Sequence, residues 1–274
     1  MREDDYEFIK LLAYHYRGID FGSDVAVSAS LTAENHLSAD NFTSISDYCR
    51  FLQEQRASDA WPGTAPEGEP PTVRFNEEGH LGFLRGYVLP EFLRRHGGET
   101  LPPFRVWTPS AHAGDETYVL AMLLGQTLGL KSDSEWSIES SDEDPLNLQK
   151  ARVGIYPESI IASLPSKWVD RYFQRGFGPQ KGNYRIKPRI QERITFREFD
   201  FQNDKLPYKT PFNVIFCRNT LSGIESAAQA KLVAIFQGLL SPGGYLLLGS
   251  LDPIFDISPL ELFYPSAYRK PLIS

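Results

Sequence analysis

Phe104 to Leu124 reads FRVWTPSAHAGDETYVLAMLL, and this stretch decides the fold. Phe104, Val106 and Trp107 make a short apolar, β-favouring run, and small residues follow from Pro109 to Gly114. Asp115 and Glu116 then open a run with Tyr118, Ala121, Met122 and Leu124 at helical spacing. The pattern predicts a strand, a tight turn, and a helix whose first turn carries carboxylates. In open α/β sheets, ligands lie beyond the carboxyl ends of strands, where such a turn lets backbone approach a nucleotide-like molecule. A strand-turn-helix that binds nothing is the other reading of this stretch on its own.

Working outward, Trp136 to Glu139 reads as a second short strand ending in Ser140-Ser141-Asp142. Helical spacing resumes from Leu146 to Val153 after Pro145, with shorter helices around Glu158 to Ser163 and Ser166 to Phe173. Gly176 to Gly182 is turn chemistry. Beyond it, Tyr184 to Lys187 and Ile194 to Arg197 alternate like the strands of a compact hairpin. Asn213 to Cys217 and Tyr245 to Gly249 are apolar enough for parallel strands covered on both faces. The helix Ala227 to Leu240 and a sharp Ser241-Pro-Gly-Gly turn separate them. Upstream, Phe83 to Arg95 predicts a helix with Pro90 inside it or beginning it. The apolar faces of Tyr6 to Tyr14 and Tyr48 to Leu52 predict a helical N-terminal unit over 1–56. Residues 57–72, rich in Pro, Gly and Glu, read as a linker to a domain over 73–274. Strands alternating with helices predict an α/β domain with a mostly parallel sheet.

The net charge of −7 argues against a nucleic-acid surface, which needs clustered Lys and Arg. Acid gathers in Ser132 to Asp144 and base in Lys181 to Arg197. That asymmetry is either solvated surface or a positive face for an acidic partner. No run approaches the roughly 18 apolar residues of a membrane span, so no membrane insertion is expected. The N-terminus, MREDDYEF, is too acidic for a secretory signal. Cys49 and Cys217 have no metal-ligand spacing, so no metal site is expected, and two scattered cysteines suggest a reducing, cytoplasmic setting.

Several strings in order resemble one family, the CheR chemotaxis-receptor glutamate methyltransferases, which use S-adenosylmethionine. They are Gly114-Asp-Glu-Thr-Tyr-Val-Leu-Ala-Met122, Ser140-Ser-Asp-Glu-Asp144 and Lys150-Ala-Arg-Val-Gly-Ile-Tyr156. Arg171 to Gly182, Phe216-Cys-Arg-Asn219 and Leu239-Leu-Ser-Pro-Gly-Gly-Tyr245 continue the series. The resemblance implies a class I methyltransferase fold, Rossmann-like, with a mostly parallel sheet and one antiparallel strand. It also implies a helical N-terminal domain and a β-subdomain at about 176–198. The cofactor would be S-adenosylmethionine, or S-adenosylhomocysteine as product. The partner would be a chemoreceptor or another signalling protein, docked through the β-subdomain.

The resemblance assigns residues as well. Asp142 falls on the ribose-binding acid, and strand-end position alone supports such a role; a solvated acid in an acidic run is its other reading. Glu116 matches a cofactor contact, or else a helix-start carboxylate favoured by the macrodipole. Ser110 and Gly114 would line the turn beside the amino-acid part of the cofactor. Asp200 and Phe201 fall beside the adenine. Cys217 and Arg218 fall on a further cofactor-lining pair, although Cys217 also reads as a plain buried strand residue. Arg85, in Leu81-Gly-Phe-Leu-Arg85, matches the family Arg that lies by the methyl donor and orients the substrate carboxylate. Departures gather on the reaction side. Gly223 stands where the family has a Tyr, Leu81 replaces a Thr, Gly79 falls where Asn is usual, and His112 takes a usually small position. The late Gly-His-Ser-Glu string is Gly249-Ser-Leu-Asp252, and Phe21 to Phe42 holds no Lys or Arg. Two functions therefore stay open, an active glutamate methyltransferase and a module that binds cofactor and docks a signalling protein without transfer.

Overall fold

The computed structural model describes residues 78–96, 101–130, 135–162, 164–200, 207–218, 220–221, 224–249, 252, 257–264 and 266–272. The helical unit expected over 1–56, the linker over 57–72, Phe201 and Gly223 lie outside the described residues. The described chain opens with α1 (Glu78–Phe83), a π turn (Leu84–Val88) and α2 (Leu89–Arg95). The Leu89 N–H reaches back to the Leu84 carbonyl, widening the helix by one residue. The wide turn ends where Pro90 begins. Proline has no N–H for the ladder, and its ring crowds the carbonyl four residues back.

Then come β1 (Phe104–Thr108), α3 (Asp115–Thr127), β2 (Trp136–Asp142) and α4 (Pro145–Val153). A smaller unit follows: β3 (Ile155–Pro157), α5 (Glu158–Ile161), α6 (Ser166–Tyr172), β4 (Phe173–Arg175), β5 (Asn183–Ile186) and α7 (Pro188–Gln191). The chain returns to the main sheet through β6 (Ile194–Glu198), β7 (Phe212–Cys217) and α8 (Ser226–Leu239). It finishes with β8 (Leu240–Leu248), β9 (Glu261–Tyr264) and β10 (Ala267–Arg269).

The main sheet runs β6-β2-β1-β7-β8-β10-β9. Strands β6, β2, β1, β7 and β8 are mutually parallel, and β10 is antiparallel to both of its neighbours. This is the class I methyltransferase arrangement. Successive strands step outward from β1 in one direction and from β7 in the other, so the order reverses between β1 and β7. That reversal opens a crevice at the carboxyl ends of the strands. The core explains why β1 lies in the interior of the sheet. Trp107 is wholly buried, stacking on Phe212 at 5.7 Å and meeting Phe236 edge-on at 5.5 Å. Helix α3 is buried from Thr117 to Gly125, so its sequence is apolar nearly all round rather than on one stripe.

Three local readings are corrected. Ile194 to Arg197 does not form a hairpin with Tyr184 to Lys187; it pairs with β2 at the edge of the main sheet, Ile138 facing Ile194. The small antiparallel sheet is β3-β5-β4 instead. Alternation is the same for both destinations, so it could not choose between them. Ser241-Pro-Gly-Gly is no free turn but a bulged stretch of β8, where pairing jumps from Phe212–Leu240 to Val214–Tyr245. Gly243 adopts φ 75°, and a side chain on Gly244 would lie 2.9–3.1 Å from three carbonyl oxygens. Finally, β2 continues past Glu139 to Asp142, because Ser140 and Ser141 are buried polar residues with partners.

Candidate active site at the strand ends

The turn after β1 is fastened to the end of β2. The Ala111 N–H donates to the Ser141 carbonyl at 2.8 Å, and the His112 N–H donates to Asp142 Oδ2 at 2.7 Å. His112 takes φ 44°, a left-handed conformation that histidine tolerates better than most residues. Gly114 follows at φ 85° and starts α3; a Cβ there would sit 2.8 Å from that of Ala151 on α4. Behind the turn, three buried hydroxyls join β1, α3 and β2. Thr108 donates to Ser140 at 2.7 Å, while Thr117 lies 2.9 Å from Ser140 and 3.2 Å from Thr108. The Trp107 indole N–H donates to Ser141 Oγ at 3.0 Å. Sequence reasoning missed this hydroxyl cluster, because isolated Ser and Thr give no signal until strands bring them together.

Asp142 is 6% exposed and already well supplied with donors. Its Oδ1 accepts from the Asp144 N–H at 3.0 Å and from Asn147 Nδ2 at 3.2 Å. With His112 on Oδ2, three of about four carboxylate lone-pair positions are in use. A ligand hydroxyl finds one open acceptor there, and a second only if the Asn147 amide swings away. Asn147 was not singled out in the sequence, although its place one turn into α4 lets it face Asp142.

Beyond this turn lies a cleft of about 980 Å³, at the upper end of the roughly 300–1,000 Å³ usual for small-molecule sites. Ser110 and His112 border it after β1, Asp142 to Asp144 after β2, and Asp200 after β6. Thr220 and Ile224 border it after β7, and α8 closes it with Lys231, Leu232 and Ile235. His112 is exposed and its Nε2 lies 3.1 Å from Ser110 Oγ, so its ring flanks the cleft without filling it.

Not every expected residue arrives there. Ser110, Asp142 and Asp200 border the cleft; Gly114, Glu116, Cys217, Arg218 and Arg85 are not among its lining residues. Gly114 serves the turn's conformation and the close approach of α4. Glu116 and Arg218 do meet each other, with Nη1 to Oε1 at 3.0 Å. Burial, with Asp115 and Asp252 adding negative charge, pushes the Glu116 carboxyl up to about 8. The Arg218 guanidinium works against that by favouring the carboxylate, while its own burial lowers it to about 10. Cys217 is a buried free thiol pushed upward by desolvation, which makes it a poor nucleophile. Arg85 stands exposed on the π turn. The opposite end of α1 is the one that reaches the strand ends, with the His80 ring 6.2 Å from Phe216. Among the described residues, no group of three or more His, Cys, Asp or Glu side chains is placed to hold a metal, and no helix is long and apolar enough to cross a membrane.

A sheet that reverses at β1/β7, with a glycine turn after β1 and an acid ending β2, defines a class I methyltransferase. Residues 71–264 match the family model described as "CheR methyltransferase, SAM binding domain". The chain belongs to the CheR family. It is 31% identical over 207 residues to the chemotaxis protein methyltransferase of Escherichia coli, covering 76% of this chain and 69% of that one. It is 33% identical to that of Salmonella typhimurium over 65% of this chain, and here spans only 58% of the relative's length. The Borreliella burgdorferi chemotaxis protein methyltransferase is 25% identical over 92% of this chain and 90% of its own length. S-adenosylmethionine is thus the cofactor of the matched domain, and the acceptor-bordered cleft has the size and donor-acceptor chemistry to take it.

Proposed function

We propose that this chain transfers a methyl group from S-adenosylmethionine to glutamate side chains of a chemoreceptor in the cytoplasm. The observation that carries the reading is the cleft at the sheet's reversal point. Among the described residues it is bordered by Asp142, Glu143, Asp144, Asp200 and Glu225 against one lysine, Lys231. Such a lining suits a cationic donor with ribose hydroxyls. We assign Asp142 to the ribose, Ser110 and the Gly114 turn to the amino-acid part, and Asp200 with Phe201 to the adenine. Glu116, Cys217 and Arg218 keep their assignment to the cofactor side from the family resemblance, although none of them lines the cleft.

The cofactor supplies a methyl on sulfonium sulfur, so an acceptor oxygen gains the methyl, the sulfur keeps the bonding pair, and no proton moves. The protein therefore needs no general base, because a glutamate with pKa about 4.3 is already ionised. Its task is to place that carboxylate in line and to exclude water. Arg85 is assigned to hold the acceptor carboxylate once the acceptor is bound.

Docking is assigned to the small sheet. Its outer strands β3 and β4 each pair on one side only among the described residues, and an open edge accepts an added strand. Arg171 to Arg197 carries eight Arg and Lys residues against one acid, Glu192, in a chain of net charge −7. A second reading, a module that binds donor or product without transfer, is favoured by Gly223 at the family's Tyr position and by the exposed Arg85. Incubation with methyl-labelled donor and a receptor cytoplasmic fragment separates the two. Transfer yields label that base releases as methanol; donor binding with no base-labile label selects the module.

A further inference from the structure

The loop after β7, from Arg218 to Ile224, supplies Thr220 and Ile224 to the cleft and Arg218 to the Glu116 pair. Among its described residues, the Ile224 N–H donates to the Leu221 carbonyl at 3.1 Å. Leu221 is wholly buried, and its N–H and its carbonyl are both met by side chains from outside the loop. The Leu221 N–H donates to Asp252 Oδ1 at 2.9 Å. The Leu221 carbonyl accepts from Gln229 Nε2 of α8 at 2.7 Å, and the same amide nitrogen lies 2.7 Å from the Ile224 carbonyl. Asp252 also accepts from the Gly249 N–H at 2.6 Å, directly after β8. Asp252 and Gln229 are 8% and 7% exposed.

A buried carboxylate that accepts backbone N–H groups from the loop after β7 and from the residue after β8 ties those two segments together. We infer that Asp252 is a positioning residue for the transfer reaction, holding the Arg218 to Ile224 wall against the cleft and setting the field around the Glu116–Arg218 pair, with Gln229 as its counterpart on α8. This rests on the cleft being the donor site. Glu116 faces Asp115 on its own helix, Arg218 and Cys217 at the end of β7, and Asp252 after β8. Asp252 is the one of these that both anchors the wall and acts on Glu116 and Arg218 through charge.

Asp252→Asn and Asp252→Glu distinguish positioning from plain stabilisation. The asparagine offers one acceptor oxygen to two N–H groups and removes the charge; the glutamate keeps both acceptors' charge. Donor affinity, measured by calorimetry from pH 6 to 9.5, is expected to rise in the wild type as Glu116 ionises near pH 8. In Asp252→Asn it falls at least tenfold and its midpoint moves to lower pH, since a neighbouring negative charge is gone. In Asp252→Glu the midpoint stays. A lower affinity with an unmoved midpoint in Asp252→Asn overturns the inference in favour of a merely structural role. Amide hydrogen exchange gives the independent arm: Asp252→Asn should deprotect Leu221 and Gly249 selectively, and unchanged protection overturns the anchoring. If the wild type takes up no donor, the reading of the cleft fails, and the exchange result still decides for or against Asp252.

Discussion

The two walls of the cleft are held in different ways. The wall after β1 is fixed by several bonds at once: the Ala111–Ser141 backbone bond, the Asp142 carboxylate on the His112 N–H, and the Thr108, Thr117 and Ser140 hydroxyls shared by β1, α3 and β2. The wall after β7 is fixed at one residue, Leu221, by two buried side chains, Asp252 on its N–H and Gln229 on its carbonyl. The first therefore spreads its support over a backbone bond, a carboxylate and three hydroxyls. The second depends on two buried polar groups, so it responds to charge and to single substitutions.

Breaking the first wall should give the largest effect. Gly114→Ala meets both a φ of 85° and a Cβ 2.8 Å from Ala151, and should destabilise the fold by on the order of 3 kcal/mol in urea unfolding. A change under about 1 kcal/mol would show that the turn relaxes freely. Thr117→Val removes one hydroxyl of three but leaves the Thr108–Ser140 bond, so about 1 kcal/mol is expected. A loss as large as that of Gly114→Ala would mean that the cluster, and not the glycine, holds this wall.

The second wall is sharpened by pH. The folded Glu116 carboxyl keeps its proton to about 8, against an ordinary value of 4.5. Between those values the folded state binds more protons than the unfolded one, so this group's contribution to stability declines as pH rises from 4.5 to 8. Urea midpoints across that window should fall less steeply in Glu116→Gln than in the wild type. Equal slopes would mean that Arg218 holds Glu116 ionised throughout. The smallest effect is expected at Asn147. Asn147→Ala frees an acceptor on Asp142, so donor affinity should hold or rise. A clear loss would make Asn147 a ligand contact in its own right.

The same contrast governs what could be read from the sequence. The first wall lies in one contiguous string, Phe104 to Leu124, joined to a strand end at Asp142, so its elements and its acid were legible. The second wall unites Arg218, Leu221, Gln229 and Asp252, whose contacts exist only once β7, β8 and α8 are packed. No spacing rule reaches them. The π turn before Pro90 was hidden because proline inside a helical pattern marks a disturbance without naming its form. The destination of Ile194 to Glu198 was hidden because an edge strand and a hairpin strand share one alternation.

Donor binding at the rim between β1 and β2 turns on the Asp142 carboxylate. Calorimetric titration of S-adenosylmethionine into the wild type and into Asp142→Ala tests it most directly. Saturable binding is expected of the wild type, weakened at least tenfold, about 1.4 kcal/mol, in the variant. Equal affinity in a variant that remains folded would contradict it.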